Sequence, residues 1–470
     1  MGYSFSVIHA LAYSFIGVQT LYIATHWNPI YWNTACLVVN SGSLVDDDID
    51  EDFDGEVDLD EDEDTKTVST DYVKLAKALG EIIEAGINVG LVDINTSSFG
   101  FKPDAEHNQI LFGLKGMMGV SDDIINDIIR LRPYVSPKDF VDRVKPKKPA
   151  MIALIKGGAF DNMIDRRICM AWYIWSTCDK KSRLNLQNMA TLLNYNLIPQ
   201  ETEEQQTALT VYRFNKYLKE NCKYNSVDYK LDDSAVSFLY HMEYENLIAA
   251  GGLMNQKAWD KVYQKWMDVF RTWLAANQDT VLQQLNDQIF MADWDKYAKG
   301  TISAWEMEVL CFYYHEHELA HIDLNKYGLT NFKSLPEEPE VDRVFYKGKK
   351  EIKMFKLSRI CGTCIAKNKP KSIVTILTTD GVVNVKFPKE YFTLFDKQIS
   401  EKQADGKKKV KEKSWFKRGS IIIVMGIRSG DDFLPKKYAS SVGHQLYKVA
   451  EITKDNELIL QDERYGGNAS

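Results

Sequence analysis

The fold is decided by a glycine-punctuated stretch that reads Phe112-Gly113-Leu114-Lys115-Gly116-Met117-Met118-Gly119-Val120-Ser121. Glycine adopts positive φ angles and lets the backbone approach another surface closely, so the pattern predicts a small hairpin with glycines at its corners. Two helix-forming runs flank it. Ser121 is a suitable cap for the second run, and Asp122 and Asp123 suit its first turn. Isoleucines at helical spacing continue this helix until Pro133.

This pattern is typical of a helix-hairpin-helix element. In such an element the hairpin N–H groups and the N-terminus of the next helix face a phosphate. Lys115 and Arg130 are the nearby cations. An ordinary packed turn between helices is the alternative interpretation, because short motifs also occur by chance.

Length and composition limit the number of domains, the presence of membrane segments and the cellular compartment. The chain has 470 residues, 45% of them hydrophobic, which suits about three domains with real cores and excludes global disorder. The first 25 residues are apolar but interrupted by Ser, His, Gly and Gln, which favours a buried helix over a membrane span or a signal peptide. Seven cysteines without paired spacing indicate a reducing cytoplasm, the host's if the chain is phage-encoded.

The formal net charge of −8 comes from one acidic run. Residues 46–64 contain 14 acids and no base, and without them the net charge is +6, which is compatible with DNA binding. Dense like charge predicts a solvated linker over residues 43–68. The alternative is a calcium loop, because six residues fit its pattern: Asp50, Asp52, Asp54, Gly55, Asp58 and Glu61.

The N-terminus carries the first family likeness. It reads Gly2-Tyr3-Ser4-Phe5-Ser6-Val7-Ile8-His9-Ala10-Leu11-Ala12-Tyr13, and Asn28-Pro29 then separates two helices. This pattern resembles the end of the fingers domain in family C replicative DNA polymerases, such as the bacterial DNA polymerase III alpha subunit. The resemblance places Tyr3, Phe5 and His9 near the incoming nucleotide. Val7 stands where the family usually has Lys, and a core role for these side chains is the alternative.

Further family segments follow in family order. They are Asp93-Ile94-Asn95-Thr96-Ser97, the hairpin, Pro137-Lys138-Asp139-Phe140-Val141-Asp142-Arg143-Val144 and Ala153-Leu154-Ile155-Lys156-Gly157-Gly158-Ala159-Phe160-Asp161. The ordered series is more specific than any single motif, and it implies that the hairpin contacts duplex DNA. The candidate duplex-binding residues are Lys115, Gly116, Met117, Gly119, Ser121, Arg130 and Lys156, with Lys145, Lys147 and Lys148 as further phosphate contacts.

Residues 164–335 are predicted to be helical. Trp259, Trp266 and Trp273 recur every seven residues, which predicts one buried stripe of a long helix. Gln288-Ile289-Phe290 is a weak echo of the family's sliding-clamp peptide, so a sliding clamp is a candidate partner and ordinary helix is the alternative. His315, His317 and His321 near two glutamates raise the idea of zinc, but neighbouring helical positions face different ways and no metal site is predicted.

Residues 336–470 change to the period-two pattern of strands. About five strands, a hairpin turn at Asp380-Gly381 and a helix after Phe387-Pro388 predict an OB-fold barrel. The segment resembles the family's C-terminal OB domain, which is associated with single-stranded template. Cys361 and Cys364 have no second pair, so packing is preferred to zinc.

One segment of the predicted barrel interleaves cations with aromatic residues. That mixture suits single-stranded DNA through backbone attraction and base stacking, and a solvated loop is the alternative. The candidate single-strand residues are Lys407, Lys409, Lys411, Trp415, Phe416, Lys417 and Arg418.

These segments predict a multidomain α+β chain. Its parts are an end of fingers (1–42), an acidic linker (43–68), a helix-hairpin-helix domain (69–163), a helical connector (164–335) and an all-β OB-fold (336–470). The family works with Mg²⁺ on palm aspartates. No palm carboxylate motif and no histidinol-phosphatase-like (PHP) domain is recognised here, so we expect a downstream half that binds no cofactor and is inactive alone.

Its expected partners are DNA and a palm-bearing chain, not a membrane. A non-catalytic DNA-binding or clamp-tethering protein is the alternative function, and a calcium-responsive module is a weaker one.

Overall fold

The computed structural model describes residues 7–43, 70–347, 350–402, 408–439 and 441–462. The helices are α1 Val7–His26, α2 Pro29–Ser41, α3 Tyr72–Glu84, α4 Asp122–Arg130, α5 Pro137–Val144, α6 Lys148–Lys156, α7 Arg166–Thr177, α8 Met189–Asn194, α9 Glu203–Asn221, α10 Asp233–His241, α11 Gln256–Tyr297, α12 Ile302–Leu310 and α13 Lys389–Asp396.

Among the described residues, the strands form two three-stranded sheets before residue 260, and a seven-stranded sheet and two two-stranded sheets after residue 340. They are β1 Asn88–Val89, β2 Lys102–Asp104, β3 Gln109–Leu111, β4 Asp228–Lys230, β5 Ile248–Ala249, β6 Leu253–Asn255, β7 Val341–Lys347, β8 Lys350–Phe355, β9 Ser358–Asn368, β10 Ile373–Thr378, β11 Gly381–Lys386, β12 Ile399–Lys402, β13 Lys408–Glu412, β14 Ile421–Ser429, β15 Asp432–Pro435, β16 Leu446–Ile452 and β17 Leu458–Gln461.

The chain divides into two compact units. Unit 1 joins Met1–Met170 to Gly300–Ser470, and unit 2 is the intervening Ala171–Lys299. Unit 2 covers fewer residues than the helical connector expected over residues 164–335. The segment after residue 299 belongs with unit 1, because α12 packs against α6.

Unit 2 is built on the 42-residue helix α11. Asn255 caps it by accepting hydrogen bonds from the N–H groups of Lys257 and Ala258. Trp259 is fully buried, and Trp266 and Trp273 are partly buried, which confirms the predicted tryptophan stripe. Helix α9 packs along α11, and the antiparallel sheet β4-β6-β5 completes the unit.

The C-terminal barrel of unit 1 has the topology of an OB-fold. Five strands close in the order β9-β10-β11-β15-β14 and back to β9. The β11–β15 pair is parallel, the other barrel pairs are antiparallel, and α13 lies between the third and fourth strands. Strands β16 and β17 extend the sheet beyond β14. The predicted fold class, α+β with a C-terminal OB barrel, is confirmed.

The inside and the outside of this barrel are both apolar. The inside holds Trp415, Phe416, Phe433 and other buried side chains. Outside, Ile365, Leu377 and Val382 join a second cluster with residues of α3 and α12. Helix α3 approaches so closely that a β-carbon added at Gly80 would lie 2.5 Å from Cγ2 of Val382. The barrel is therefore built into unit 1 along one side.

Candidate nucleic-acid interface

The glycine-rich stretch forms a tight turn, but its flanks differ from the prediction. The run before it is strand β3 and then a 3-10 turn, Leu114–Gly116, whereas two helices were expected. The run after it is helix α4, as predicted. Gly119 has a φ of +91°, and a β-carbon at Gly116 would lie 2.7 Å from the Phe101 ring. Both positions need glycine, one for its dihedral angle and one for space.

Lys115 does not extend toward solvent as a phosphate ligand would. Its side chain is 9% exposed, and its Nζ lies 2.5 Å from both carboxylate oxygens of Asp122. This contact ties the turn to the first residue of α4. It also neutralises an acid that would otherwise repel a phosphate at that helix end. The direct phosphate contact predicted for Lys115 is therefore corrected to an internal ion pair.

The turn also uses most of its own N–H groups. Those of Leu114 to Met118 donate to carbonyls of Ser98, Phe99, Gly113, Leu114 and Val309. Within the described residues, the N–H groups of Gly119 to Asp123 have no such backbone acceptor. Ser121 precedes α4 as its N-cap residue, without a side-chain capping bond. A phosphate would therefore meet the second half of the stretch and the N-terminus of α4.

A second hairpin, between α5 and α6, has the form expected of the motif. It consists of Lys145, Pro146 and Lys147, and Lys145 adopts a left-handed conformation with a φ of +52°. The side chains of Lys145 and Lys147 are exposed beside the N-terminus of α6. Helix α6 buries Ala150 to Lys156, so only its first turn faces solvent. Two exposed cations at a helix N-terminus form a favourable setting for a phosphate.

The other predicted duplex-binding cations differ in exposure. Lys156 is 6% exposed, and its Nζ lies 2.6 Å from a carboxylate oxygen of Glu308, so its predicted phosphate contact is also corrected to an internal ion pair. Arg130 is exposed and pairs with exposed Asp127. Exposed pairs are weak and exchange readily, so Arg130 remains accessible to DNA. Met117 is fully buried, and its N–H and carbonyl groups are both hydrogen-bonded within the protein, so its predicted DNA contact is corrected to a packing role.

A buried carboxylate holds this region together. Glu306 is fully buried and accepts hydrogen bonds from Nη1 of Arg166 at 2.9 Å, from the N–H groups of Tyr314 and His315, and from Nδ1 of His315 at 2.7 Å. Arg166 also binds Asp161 and the carbonyl of Lys156. Burial would lower the pKa of Arg166, but the bonds and charges of Asp161 and Glu306 raise it, so the guanidinium stays charged.

Trp415 and Phe416 do not face solvent. Trp415 is fully buried against Phe395, and its Nε1 donates to Glu412 at 2.6 Å. Phe416 is 2% exposed and lies among Phe387 and Phe392. Their rings fill the barrel and cannot stack on bases in this fold, so the predicted stacking role is wrong for both.

The predicted single-strand cations near Trp415 differ in their surroundings: some are bound within the protein and others are exposed. Nη1 of Arg418 donates to Sγ of Cys311 at 3.3 Å, its Nε donates to the carbonyl of Ile365, and its guanidinium lies over the Tyr72 ring. Arg418 therefore joins the barrel to α3 and α12, which corrects its predicted single-strand role. Lys411 pairs with Glu401, and Lys417 is exposed. Lys407 and the side chain of Lys409 lie outside the described residues.

Exposed lysines on the β9–β10 loop were missed by the sequence reasoning. Lys369 and Lys371 lie on this loop, which in OB-folds is one of the two loops that bind oligonucleotides. Lys386 lies on β11 and pairs with Asp432. The Lys-Pro-Lys sequence between two predicted strands was the available signal. The face of β10 and β11 that OB-folds also use is partly covered here by α3 at Leu377 and Val382.

Of the predicted nucleotide-proximal residues, His9 alone lies in the described part of the chain. Tyr3 and Phe5 lie outside it, as does the candidate calcium loop of residues 50–61. His9 lies on α1, next to the ring of Tyr13. Helix α1 has no buried residue, which contradicts the expected buried helix. By length and composition α1 could cross a membrane, but one such helix near the N-terminus is weak support for a span.

Of the three histidines considered for zinc, His317 is held by hydrogen bonds inside the protein. Nε2 of His317 lies 3.0 Å from the carbonyl of Leu377, and the N–H of Leu319 donates to its Nδ1, which fixes a neutral ring. Burial lowers the pKa of His317 to about 4. Burial raises the pKa of Cys364 to about 12, which disfavours the thiolate. Among the described residues no group of three or more His, Cys, Asp or Glu is placed to hold a metal ion.

Comparison with known proteins gives the family context. Residues 86–169 match the family described as helix-hairpin-helix motif. The chain is 36% identical over 98% of its length to the probable DNA polymerase YorL of Bacillus subtilis, and equally to a DNA-directed DNA polymerase of Bacillus phage SPbeta. It is 31% identical to the DNA polymerase III subunit alpha of Thermus aquaticus over 36% of this chain and 12% of that protein.

These similarities agree with the motifs seen in the sequence. The chain is similar to DNA polymerases, and the predicted helix-hairpin-helix motif is confirmed. It spans about a third, 35%, of the length of the Bacillus and phage SPbeta relatives. The predicted clamp-like tripeptide lies inside helix α11, where Ile289 packs into the core of unit 2.

We expect Glu306→Gln to destabilise unit 1. Removing one partner of a buried ion pair leaves Arg166 incompletely compensated and costs about 3–5 kcal/mol. Glu316→Gln is the matched control, because Glu316 is 73% exposed in its pair with His321 and should change stability by less than about 1 kcal/mol. Chemical unfolding followed by hydrogen exchange in residues 150–166 measures both. Equal stability of the two variants would contradict the role of Glu306.

We expect His317 to make unit 1 less stable in acid. Its pKa is about 4 in the fold against 6.5 ordinarily, so below pH 6.5 the unfolded chain binds the extra proton first. This contribution to stability is complete above pH 6.5 and is lost as the pH falls toward 4. His317→Gln should flatten the change in unfolding midpoint over that range. Burial raises the pKa of Glu318, so this residue changes stability with pH in the opposite direction. Glu318 is present in both the unaltered protein and the His317→Gln variant, so it does not affect their comparison. Parallel pH profiles would contradict this assignment.

Proposed function

We propose that this chain is the DNA-holding part of a replicative DNA polymerase similar to the DNA polymerase III alpha subunit. It grips primer–template duplex through the helix-hairpin-helix region and single-stranded template through the barrel. The 36% identity to DNA polymerases over 98% of the chain carries this proposal. The catalytic palm and its Mg²⁺ are assigned to another segment or chain, in the cytoplasm, and a sliding clamp is a further candidate partner.

The geometry supports duplex binding, but through different lysines from those predicted first from the sequence. Lys145 and Lys147 replace Lys115 and Lys156 as the phosphate ligands, because the first two are exposed and the last two are internally paired. The N–H groups of residues 119–123 and exposed Arg130 form the second part of the grip. Phosphate contacts of this kind position the protein on DNA without reading its sequence.

For the single strand, the barrel supports a restricted site. The β9–β10 loop carries Lys369 and Lys371, and both side chains are exposed to solvent. Lys369 pairs with Asp396 at 3.5 Å while remaining 68% exposed, so a phosphate can displace the acid. Exposed Lys417 remains a candidate from the sequence. The covered part of the β10–β11 face is excluded from this site.

We expect Lys145→Glu/Lys147→Glu to weaken duplex binding by about tenfold or more. Each lost phosphate contact should also lower the slope of log affinity against log salt by about 0.9. Lys257→Glu/Lys261→Glu is the matched control, since it makes the same charge change at exposed positions of α11. Fluorescence anisotropy with a blunt duplex measures both. Equal affinity and equal salt slope in the two variants would remove the α5–α6 hairpin from the interface.

Primer extension tests the proposal as a whole. This chain alone, a polypeptide carrying the palm of a close relative alone, and both together should give DNA synthesis only in the mixture. A mixture that stays inert while this chain binds primed DNA would instead support the non-catalytic DNA-binding alternative. Failure to bind any DNA would reject both functions.

A further inference from the structure

A cleft of about 480 Å³ lies on the outside of the barrel, beside the first residues of β9. Ile360 and Val424 belong to the barrel core, so Arg359 and Met425, which alternate with them along the paired strands β9 and β14, face outward and line the cleft. The rest of its wall comes mainly from the end of β8 and from the segment after β15. Ligand sites usually have volumes of about 300–1,000 Å³, so this cleft has the size of a binding site.

The guanidinium of Arg359 is held in place at the wall of the cleft. Its Nη2 donates to the carbonyl of Val442 at 2.6 Å. The next residue, Gly443, has a φ of +81°, and a β-carbon there would lie 2.9 Å from this Nη2 and 2.5 Å from the hydroxyl oxygen of Tyr447. Glycine therefore lets the backbone approach the guanidinium closely and fixes where the guanidinium lies.

Arg359 nevertheless has no acidic partner in the part of the chain that the structure describes. Its Nε is buried and has no hydrogen-bond acceptor among those residues. The other charged residues of the cleft are both in exposed ion pairs, Lys356 with Glu340 and Asp342 with Arg343. A buried donor without an acceptor is destabilising, and an anionic ligand would supply both the acceptor and the opposite charge.

Two hydroxyl groups of the cleft add further donors. The hydroxyl of Tyr438 accepts from the N–H of Phe355 at 2.8 Å, and Oγ of Ser441 accepts from the N–H of Tyr438 at 3.0 Å. A hydroxyl that accepts one hydrogen bond keeps its own proton to donate. An anion with several oxygens can accept from these hydroxyls and from Arg359 together. Phosphate offers more such oxygens than a carboxylate does, and a guanidinium binds it through two parallel hydrogen bonds.

The remaining wall of the cleft is largely apolar. Met354, Phe355, Leu357 and Met425 line it. A phosphate ion by itself fills only a small part of this volume, so we expect the phosphate to carry an organic group that contacts these residues. A nucleotide combines the two parts, because it has an anionic phosphate at one end and a flat base at the other.

We propose that this cleft binds a nucleotide, with the phosphate on Arg359, Tyr438 and Ser441 and the base against the apolar wall. A free nucleotide and a nucleotide within a DNA strand share this phosphate chemistry, and the experiment separates these two sources. The proposal goes beyond the DNA-binding function proposed above and does not depend on it, because the lysines assigned to DNA do not line this cleft.

Isothermal titration calorimetry of the full chain tests the cleft with thymidine monophosphate, thymidine and oligothymidylate. Thymidine lacks the phosphate, so it should bind at least about tenfold more weakly than thymidine monophosphate. Arg359→Gln should weaken nucleotide binding by about tenfold or more, and Arg359→Lys should restore part of it, because lysine keeps the charge and loses the planar fork. The matched control is Arg271→Gln, which removes an exposed arginine of α11.

A second pair of variants keeps the test valid if Arg359→Gln does not fold. Tyr438→Phe removes one hydroxyl donor without changing the charge, and it should weaken nucleotide binding by about threefold to tenfold. Tyr224→Phe, at an exposed tyrosine of unit 2, is its control. The unfolding midpoint of each variant shows whether a loss of binding reflects a loss of the fold.

The possible results are distinguishable. If the unaltered chain binds neither thymidine monophosphate nor oligothymidylate, or if thymidine binds as well as its monophosphate, the proposal fails. Unchanged affinity in both folded cleft variants would also overturn it. Loss of oligothymidylate binding in Arg359→Gln, when the unaltered chain does not bind thymidine monophosphate, would assign the nucleotide to a DNA strand. Failure to bind duplex DNA while nucleotide binding persists would reject only the function proposed above.

Discussion

The buried carboxylate of Glu306 is the constraint on which unit 1 depends. Arg166 precedes the unit 2 insertion and Glu306 follows it, so their ion pair closes unit 1 across 139 intervening residues. A buried charge without a partner is very costly, so the two chain segments cannot separate without a large penalty. Lys156 and Glu308 add a second link between the same segments. The helix-hairpin-helix region is thereby fixed to the segment that leads into the barrel.

Burial and ion pairing also separate the lysines of the helix-hairpin-helix region into two groups. Lys115 and Lys156 lie in the motif segments recognised in the sequence, yet both are buried and are paired with Asp122 and Glu308, respectively. These pairs hold the turn against α4 and α6 against α12. Lys145 and Lys147 lie in the hairpin between α5 and α6, and their side chains are exposed. Internally paired and exposed cations are thus separated by burial, although they lie close together in sequence.

The barrel uses one part of its outer face for packing instead of for ligands. Gly80 permits α3 to approach Val382, and Arg418 reaches from the barrel toward Cys311. Through these contacts the barrel is packed against α3 and α12 within unit 1. The β9–β10 loop, where Lys369 and Lys371 are exposed, lies outside this contact. Under the proposed function, the duplex and single-strand sites are thereby held within one unit.

The sequence by itself determined the elements whose patterns are local. These include the glycine turn and α4, the tryptophan stripe of α11, the OB strands with their Asp380-Gly381 turn, and the ordered motifs shared with DNA polymerases. Only the tertiary structure decided the roles of individual cations and aromatic residues. Lys115, Trp415 and Arg418 are residue types that commonly bind DNA. Here they are packed inside the fold by contacts with residues distant in sequence. The exposure of Lys145 was decided in the same way, because a local pattern does not specify which of its faces the rest of the chain will cover.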